Sequence, residues 1–196
     1  PVGYLPQDSR EGNLEQSARD RVLSARGLEQ IMASMERQQE VMETTTDDRK
    51  RDAAIRKYSR LEEQYHQLGG YEASSEAARI CDALGLPARI LDQQLSTLSG
   101  GQRRRVELAR ILFSASGGSG KSTTTLLLDE PTNHLDADSI TWLRDFLSKH
   151  EGGLIMISHD VELLDAVCNK VWFLDAVRGE ADVYNMGWAQ YQDARA

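Results

Sequence analysis

The sequence has 196 residues, 40% of them hydrophobic and 28% charged, which is enough apolar material for one domain with a buried core. No apolar run approaches the roughly 18 residues of a membrane span and no signal peptide opens the chain, so we expect no membrane insertion and a cytoplasmic location. A formal net charge of -8 argues against nucleic-acid binding by the whole surface, and two distant cysteines, Cys81 and Cys168, are most simply reduced thiols.

The chain opens with a predicted strand end. Val2, Tyr4 and Leu5 supply its apolar and aromatic residues, and Gln7 follows after a proline. From the local sequence alone, Gln7 is either a polar loop residue or part of a functional site.

Residues from about 14 to 84 predict a helix-rich region. Apolar residues recur three and four positions apart in two stretches, one over 28–35 and one over 55–65. The intervening sequence TTTDD is a poor helix former and supplies a cap for the second helix. We therefore predict an antiparallel helical hairpin with its tip near 43–50, followed by a break at Gly69 and Gly70 and a further helix over 76–84.

The second helix of this hairpin carries a dense group of basic residues. Residues 49–60 contain six cations against one anion, Asp52. Such a stripe can neutralise phosphates of a nucleic acid, or it can be a solvated helix face paired with Glu62 and Glu63, and the two interpretations are weighed equally. The cations are Arg49, Lys50, Arg51, Arg56, Lys57 and Arg60.

The sequence LSGGQ at 98–102 predicts a glycine turn that opens a helix. Glycines let the backbone approach an anion, and the positive end of the helix dipole points to the same place. The apolar residues of the helix mark its buried side, and we predict Arg103, Arg104 and Glu107 on the solvent side. A less favoured alternative has the triple arginine meeting a phosphate across an interface. The predicted buried residues are Val106, Ala109, Leu112 and Phe113.

The polar segment 114–125 ends like a phosphate-binding P-loop, with Gly120, Lys121 and Ser122. The P-loop pattern requires a glycine at position 115, where this sequence has Ala115. A P-loop also follows a strand and opens a helix, whereas this segment follows a predicted helix and opens a predicted strand. A flexible polar linker is the better prediction.

A buried strand at 125–128 then delivers two carboxylates, Asp129 and Glu130, before Pro131 stops it. Phosphoryl transfer requires a carboxylate that holds Mg²⁺ and a group that orients or deprotonates the attacking water. Asp129 suits the first role and Glu130 the second.

The remainder alternates helices and strands. A helix is predicted from 138 to about 152, a short strand over 154–157, a helix over 161–168, and a strand hairpin turning at Arg178 and Gly179. The short strand delivers His159. Its position after a second apolar strand downstream of Glu130 favours a catalytic role over a structural one.

LSGGQ followed by a strand ending in DEP resembles the ATP-binding-cassette ATPases, and the spelling DEPTNHLD resembles the ABC-F translation factors, which act on ribosomes. The resemblance implies an α/β fold: a partial cassette with a mainly parallel sheet, helices and a helical subdomain that bears an extended hairpin. It divides the chain into a strand end with the Q-loop (1–13), the helical subdomain (14–97) and the signature, Walker B, D-loop and H-loop part of the ATPase core (98–196).

The resemblance also implies the site. Its cofactors are ATP and Mg²⁺, and its partners are a second ATP-binding cassette and, through the 43–60 hairpin, ribosomal RNA and tRNA. The implied roles are Asp129 and Gln7 at Mg²⁺, Glu130 as catalytic base, His159 as switch histidine, the signature loop Leu98, Ser99, Gly100, Gly101 and Gln102 at the nucleotide, and Asp136, with Leu135, in the loop that meets the partner cassette.

The family places its P-loop and an adenine-stacking aromatic residue before the Q-loop, and these 196 residues contain neither there. We therefore expect the chain alone to bind ATP weakly and hydrolyse none. We also expect an unpaired sheet edge that favours self-association.

Two other cassette classes remain as alternatives. A nucleotide-binding subunit of a membrane transporter should have a shorter helical insert and a groove for a coupling helix. A chromosome-maintenance or repair ATPase should show heptads sustained over many turns, whereas the insert here holds about two short helices.

Overall fold

The computed structural model describes residues 2–5, 13–116 and 124–195. Gln7 and the P-loop-like residues Gly120, Lys121 and Ser122 lie outside the described residues. The elements in chain order are β1 (Val2–Leu5), α1 (Ala18–Leu23), a 3₁₀ turn (Ser24–Arg26), α2 (Leu28–Thr44), α3 (Asp48–Gln67), α4 (Gly70–Ala83), α5 (Ala88–Leu91), a 3₁₀ turn (Leu95–Thr97), α6 (Gly100–Ser116), β2 (Thr125–Asp129), α7 (Ala137–Ser148), β3 (Leu154–Ile157), α8 (Val161–Val167), β4 (Val171–Asp175), β5 (Glu180–Tyr184) and α9 (Trp188–Arg195).

A three-stranded parallel sheet in the order β1-β2-β3 forms the centre of the site-bearing region. Leu5 is in register with Leu128, and Asp129 is in register with Ile157. Parallel strands joined by helical crossovers end at the same sheet edge, so the residues that follow β2 and β3 meet there. The predicted α/β fold with a mainly parallel sheet and a helical subdomain is confirmed.

One face of this sheet packs on α6. A Cβ at Gly3 would lie 2.9 Å from Cγ2 of Ile111, so glycine at this position allows the close approach of β1 to the helix. Leu126 and Leu128 are buried on the same face, together with the α6 residue Phe113. The predicted apolar side of α6 is therefore confirmed.

The opposite sheet face exposes apolar side chains, which is unusual because parallel sheets are normally covered on both faces. Ile155 and Ile157 of β3 are 46% and 58% exposed, and Val2 and Tyr4 of β1 are exposed as well. Among the described strands β3 pairs only with β2, so its other edge has no strand partner.

The helices α2 and α3 pack against each other and are joined by a three-residue turn at 45–47. Asp47 caps α3, since its Oδ1 accepts a hydrogen bond from the backbone N–H of Arg49 at 2.9 Å. With 20 residues at 1.5 Å each, α3 is about 30 Å long. The turn lies within the range predicted for the hairpin tip.

The helix predicted over 76–84 begins six residues earlier, at Gly70. Gly69 adopts a left-handed backbone at φ 67°, which terminates α3, and the next helix begins directly at Gly70. The ring of Tyr65 occupies the space that a Cβ at Gly70 would need, at 2.4 to 2.5 Å. The double glycine therefore makes a tight corner between two helices rather than a longer break.

The strands β4 and β5 form the antiparallel hairpin predicted from the sequence, with Gly179 at φ 67° in its turn.

Cys81 is fully buried and Cys168 is half-buried, and both are free thiols. Across the described ranges, no helix combines the length and apolar character needed to cross a bilayer.

Candidate functional site

The carboxyl ends of β2 and β3 bring Glu130 and His159 together. Oε1 of Glu130 lies 3.2 Å from Nε2 of His159. The Glu130 side chain is only 12% exposed, whereas the His159 side chain is 95% exposed. A shielded carboxylate beside an open imidazole is suited to handling a proton at the mouth of a site.

Local backbone contacts hold these two side chains in place. The backbone N–H of Glu130 donates to the carbonyl of Ile157 at 2.8 Å, which extends the β2–β3 pairing by one residue. Beyond His159, the side chain of Asp160 caps α8 by accepting from the N–H of Leu163 at 3.0 Å. His159 therefore lies in a short, anchored connection between a strand and a helix.

The signature loop is a helix start closed by a capping box. Oγ of Ser99 accepts from the N–H of Gln102 at 3.2 Å, and Oε1 of Gln102 accepts from the N–H of Ser99 at 2.9 Å. Leu98 is buried and anchors the loop. A Cβ at Gly100 would meet nothing within 4 Å, so this first turn of α6 is open to a ligand.

A second loop, after Glu130, meets the signature loop. The ring of His134 lies about 3.5 Å from the position of a Cβ on Gly101, and His134 itself has φ 69°. Sequence reasoning missed His134. Its signal was available, since asparagine, aspartate and histidine are the residues that most readily accept a left-handed backbone in such a turn.

Asp136 ends this loop as the cap of α7. Its Oδ1 accepts from the backbone N–H of Ser139 at 2.8 Å, and this bond is the main reason that the pKa of Asp136 lies below its usual value. The nearby Arg105 lowers the pKa further, while Nη1 of Arg105 donates to the carbonyl of Gly85 at 2.8 Å. The loop that carries Asp136 is thereby tied to the helical subdomain.

The predicted solvent side of α6 is wrong at two positions. Arg104 and Glu107 are 7% and 8% exposed, although Arg103 is more accessible. Nη2 of Arg104 donates to the backbone carbonyls of Asp129 and Glu130 at 2.5 and 3.2 Å, and Glu107 pairs with Arg21 and Arg110. These long polar side chains can be buried because hydrogen bonds and ion pairs satisfy them, and most of the partners lie on other elements.

The structure thus brings Glu130 to His159, and the signature residues to the loop that precedes Asp136. Asp129 ends β2 at the same sheet edge, while Gln7 lies outside the described residues. Within the described ranges no group of three histidine, cysteine or acidic residues could hold a metal ion by itself. Mg²⁺ normally takes one or two carboxylates together with phosphate and water, so a single Asp129 fits this ion when a nucleotide supplies the other ligands.

The basic stripe of α3 faces solvent. Five of its cations are exposed and, within the part of the chain that the structure describes, have no ion-pair partner, while Arg51 pairs with Asp48 at 3.1 Å. The described residues therefore form a solvated helix face, as one of the two alternatives predicts, but without the expected pairs to Glu62 and Glu63. The five are Arg49, Lys50, Arg56, Lys57 and Arg60.

Residues 2–133 match the family model described as ABC transporter. The sequence is 36% identical over 198 residues to the energy-dependent translational throttle protein EttA of Escherichia coli (strain K12), covering 99% of this chain and 33% of that relative. It is 33% identical over 195 residues to EttA of Mycobacterium tuberculosis (strain ATCC 25618 / H37Rv), covering 100% of this chain and 32% of the relative. The chain therefore spans about a third of the length of these relatives.

Solved structures agree on the fold. One described as "Structure of ATP binding subunit of ABC transporter" superposes with a TM-score of 0.52 at 13% identity, over 86% of this chain and 52% of the other. Another, "RNase-L Inhibitor", gives a TM-score of 0.55 at 19% identity, over 99% of this chain and 29% of the other. At these identities the likeness concerns the fold alone.

Proposed function

We propose that this chain, which belongs to the ATP-binding-cassette (ABC) family, is part of a cytoplasmic ATPase whose nucleotide cycle acts on the ribosome. The observation that carries the proposal is the 3.2 Å approach of Glu130 to His159 at the ends of two adjacent parallel strands. Its support for a ribosomal role is the 36% identity over 99% of the chain to a protein named a translational throttle.

Glu130 acts as the base that orients and deprotonates the attacking water. Its carboxylate is shielded, which strengthens its interaction with a water molecule, and it is held at the end of a buried strand. His159 stands beside it with an exposed ring that can reach a phosphate oxygen and keep the water and carboxylate aligned.

Asp129 holds Mg²⁺ and the signature loop binds a nucleotide phosphate. When bound, the Mg²⁺–ATP pair supplies the phosphoryl group and the charge neutralisation that its transfer requires. The chain supplies the open first turn of α6 at Gly100 and the backbone N–H groups that follow Ser99. Gln7 is proposed as a further contact to the ion and the water.

A second cassette completes two composite sites, because the signature loop acts on the nucleotide held by the opposite cassette and the chain therefore carries half of each site. Asp136 and Leu135 lie in the loop proposed to meet the second cassette, and this loop already contacts the signature loop through His134 and Gly101. We expect the 196 residues alone to bind ATP weakly and to hydrolyse none. Isothermal titration of the chain with Mg²⁺–ATP tests this, and a stoichiometric micromolar site would contradict it.

The α2–α3 hairpin contacts ribosomal RNA or tRNA through its basic stripe. Arg49, Arg56 and Arg60 lie within about 40° of one another around α3 at 100° per residue, and the three are exposed. Each cation that neutralises a phosphate releases counterions, so ribosome binding should weaken steeply as salt rises.

Co-sedimentation of the full-length protein with ribosomes tests this proposal. We expect ATP-dependent binding that is lost when residues 43–60 are deleted, and that is weakened in a variant with Arg49→Glu, Arg56→Glu and Arg60→Glu. The matched Arg→Lys triple variant should bind like the unmodified protein, because lysine keeps the phosphate-neutralising charge. No binding in any nucleotide state would overturn the ribosomal role and favour the transporter-subunit alternative.

A further inference from the structure

The backbone of Glu130 adopts a conformation that residues with a side chain disfavour. Its φ is 47°, in the left-handed region, and it is one of two such non-glycine residues in the described part of the chain. A residue is kept in this conformation only when its surroundings determine it strongly. The contacts that do so at Glu130 therefore decide where its carboxylate points.

The guanidinium of Arg104 is the prominent contact that reaches this backbone from another element. Its Nη2 donates to the carbonyl of Asp129 at 2.5 Å and to that of Glu130 at 3.2 Å, so one charged group holds two consecutive carbonyls. Arg104 is 7% exposed, and hydrogen bonds from a charged donor are strong when water is excluded. On the other side of the Glu130 peptide, its N–H is fixed by the carbonyl of Ile157 at 2.8 Å.

We infer that Arg104 is a positioning residue for hydrolysis: it holds the Asp129 and Glu130 carbonyls so that the Glu130 carboxylate stays beside His159. This inference rests on the proposed function, because it assigns the geometry of the base to a second residue. Arg104 contacts the base through its backbone carbonyl, while Oε1 of the Glu130 carboxylate lies 3.2 Å from Nε2 of His159.

The same contact links the base to the signature loop. Arg104 lies on α6 five positions after Ser99, and the capping box makes these residues one rigid helix start. A displacement of α6 when the signature loop binds nucleotide is therefore transmitted directly to the two carbonyls that orient Glu130.

Steady-state and single-turnover ATP hydrolysis by the full-length protein test the inference. We expect Arg104→Met to lower kcat by at least about tenfold while the KM for ATP changes less than about threefold. The substitution displaces the base and leaves the nucleotide-binding residues unchanged. Arg104→Lys keeps the positive charge, but its side chain is shorter and its ammonium does not match the position of the guanidinium, so it should retain an intermediate kcat. Arg89→Met removes an exposed cation of α5, outside the signature loop, where the side chain has no hydrogen-bond or ion-pair partner in the described ranges, and should stay within about twofold of the unmodified protein.

A double-mutant cycle separates positioning from a general effect on folding. If Arg104 acts through Glu130, adding Arg104→Met to Glu130→Gln should not lower the single-turnover rate further. If Arg104→Met does not fold, the same cycle is measured with Arg104→Lys: adding Arg104→Lys to Glu130→Gln should not lower the single-turnover rate further.

An unchanged kcat in Arg104→Met, or an equal further loss in the Glu130→Gln background, would overturn this inference alone. An unmodified protein that hydrolyses no ATP would instead overturn the proposed function, and this inference with it.

Discussion

Replacing Arg26 by methionine should strongly destabilise the fold. Arg26 is buried at the junction of the hairpin, α4 and the end of α6, with its side chain 3% exposed. Its Nη2 pairs with Oε2 of Glu76 at 2.8 Å and donates to the carbonyl of Phe113 at 2.8 Å, and its Nη1 donates to the carbonyl of Leu68 at 3.3 Å. Methionine keeps much of the volume and none of these bonds.

The magnitude follows from what the substitution leaves behind. Removing one partner of a buried ion pair costs about 3–5 kcal/mol, because the other charge remains uncompensated. Glu76 is 21% exposed and the Phe113 carbonyl also accepts from Oγ of Ser116, so both groups keep some compensation. We therefore expect the lower end of the range, about 3 kcal/mol. Burial already lowers the pKa of the Arg26 guanidinium against the opposing effect of Glu76, so the site tolerates this charge only through its partners.

Urea denaturation followed by circular dichroism measures this loss. With a slope of about 2 kcal/mol per molar urea, Arg26→Met should lower the midpoint by about 1.5 M. Arg79→Met is the matched control: Arg79 lies exposed on the same helix as Glu76 and has no hydrogen-bond or ion-pair partner within residues 13–116, so it should change stability by less than about 0.5 kcal/mol. A loss below about 1 kcal/mol in Arg26→Met would refute the reasoning.

Three further predictions concern other parts of the molecule. Burial raises the pKa of the Cys81 thiol to about 12. In the folded Cys168→Ser variant at pH 8 we therefore expect iodoacetamide to leave Cys81 unmodified, and we expect it to modify Cys81 in urea. Rapid labelling of Cys81 without urea would contradict the assigned burial. Gly70→Ala should cost about 1–3 kcal/mol in thermal or chemical unfolding, because a Cβ there would meet the Tyr65 ring at 2.4 Å, and an unchanged midpoint would show that the ring moves freely. The open edge of β3 and its exposed Ile155 and Ile157 should make the 196-residue chain self-associate in light scattering at tens of micromolar, whereas a sharply monodisperse monomer would count against that expectation.

Elements with a strong local signal were predictable from the sequence. The apolar runs before Asp129 and before Ser158 are short enough to favour strands, and LSGGQ before an apolar periodicity favours the start of a helix. The LSGGQ and DEP motifs predicted the ATP-binding-cassette family, and the match of residues 2–133 to the ABC transporter family model confirms it. These patterns succeed because each is contained within one element and its caps.

The features that sequence reasoning missed depend on partners far along the chain. Arg104 and Glu107 were predicted on the solvent side, whereas their burial is satisfied by a strand end 25 residues away and by Arg21 of α1. The left-handed backbone of Glu130 and the C-terminal helix α9 also depend on contacts with residues distant in the sequence. That helix is held by tertiary contacts, with Tyr191 buried and the Arg195 guanidinium 4.1 Å from the centre of the Phe173 ring.

Phosphate release by the full-length protein carrying Glu130→Gln tests most directly the claim that the ends of β2 and β3 form an ATPase site. We predict that multiple-turnover hydrolysis falls at least about a hundredfold while ATP binding is retained, because glutamine keeps the shape of the side chain and cannot take the proton of the attacking water. Glu162→Gln, which removes an exposed carboxylate on α8, serves as the control. Turnover in Glu130→Gln equal to that of the unmodified protein would contradict the assignment of Glu130 as the base.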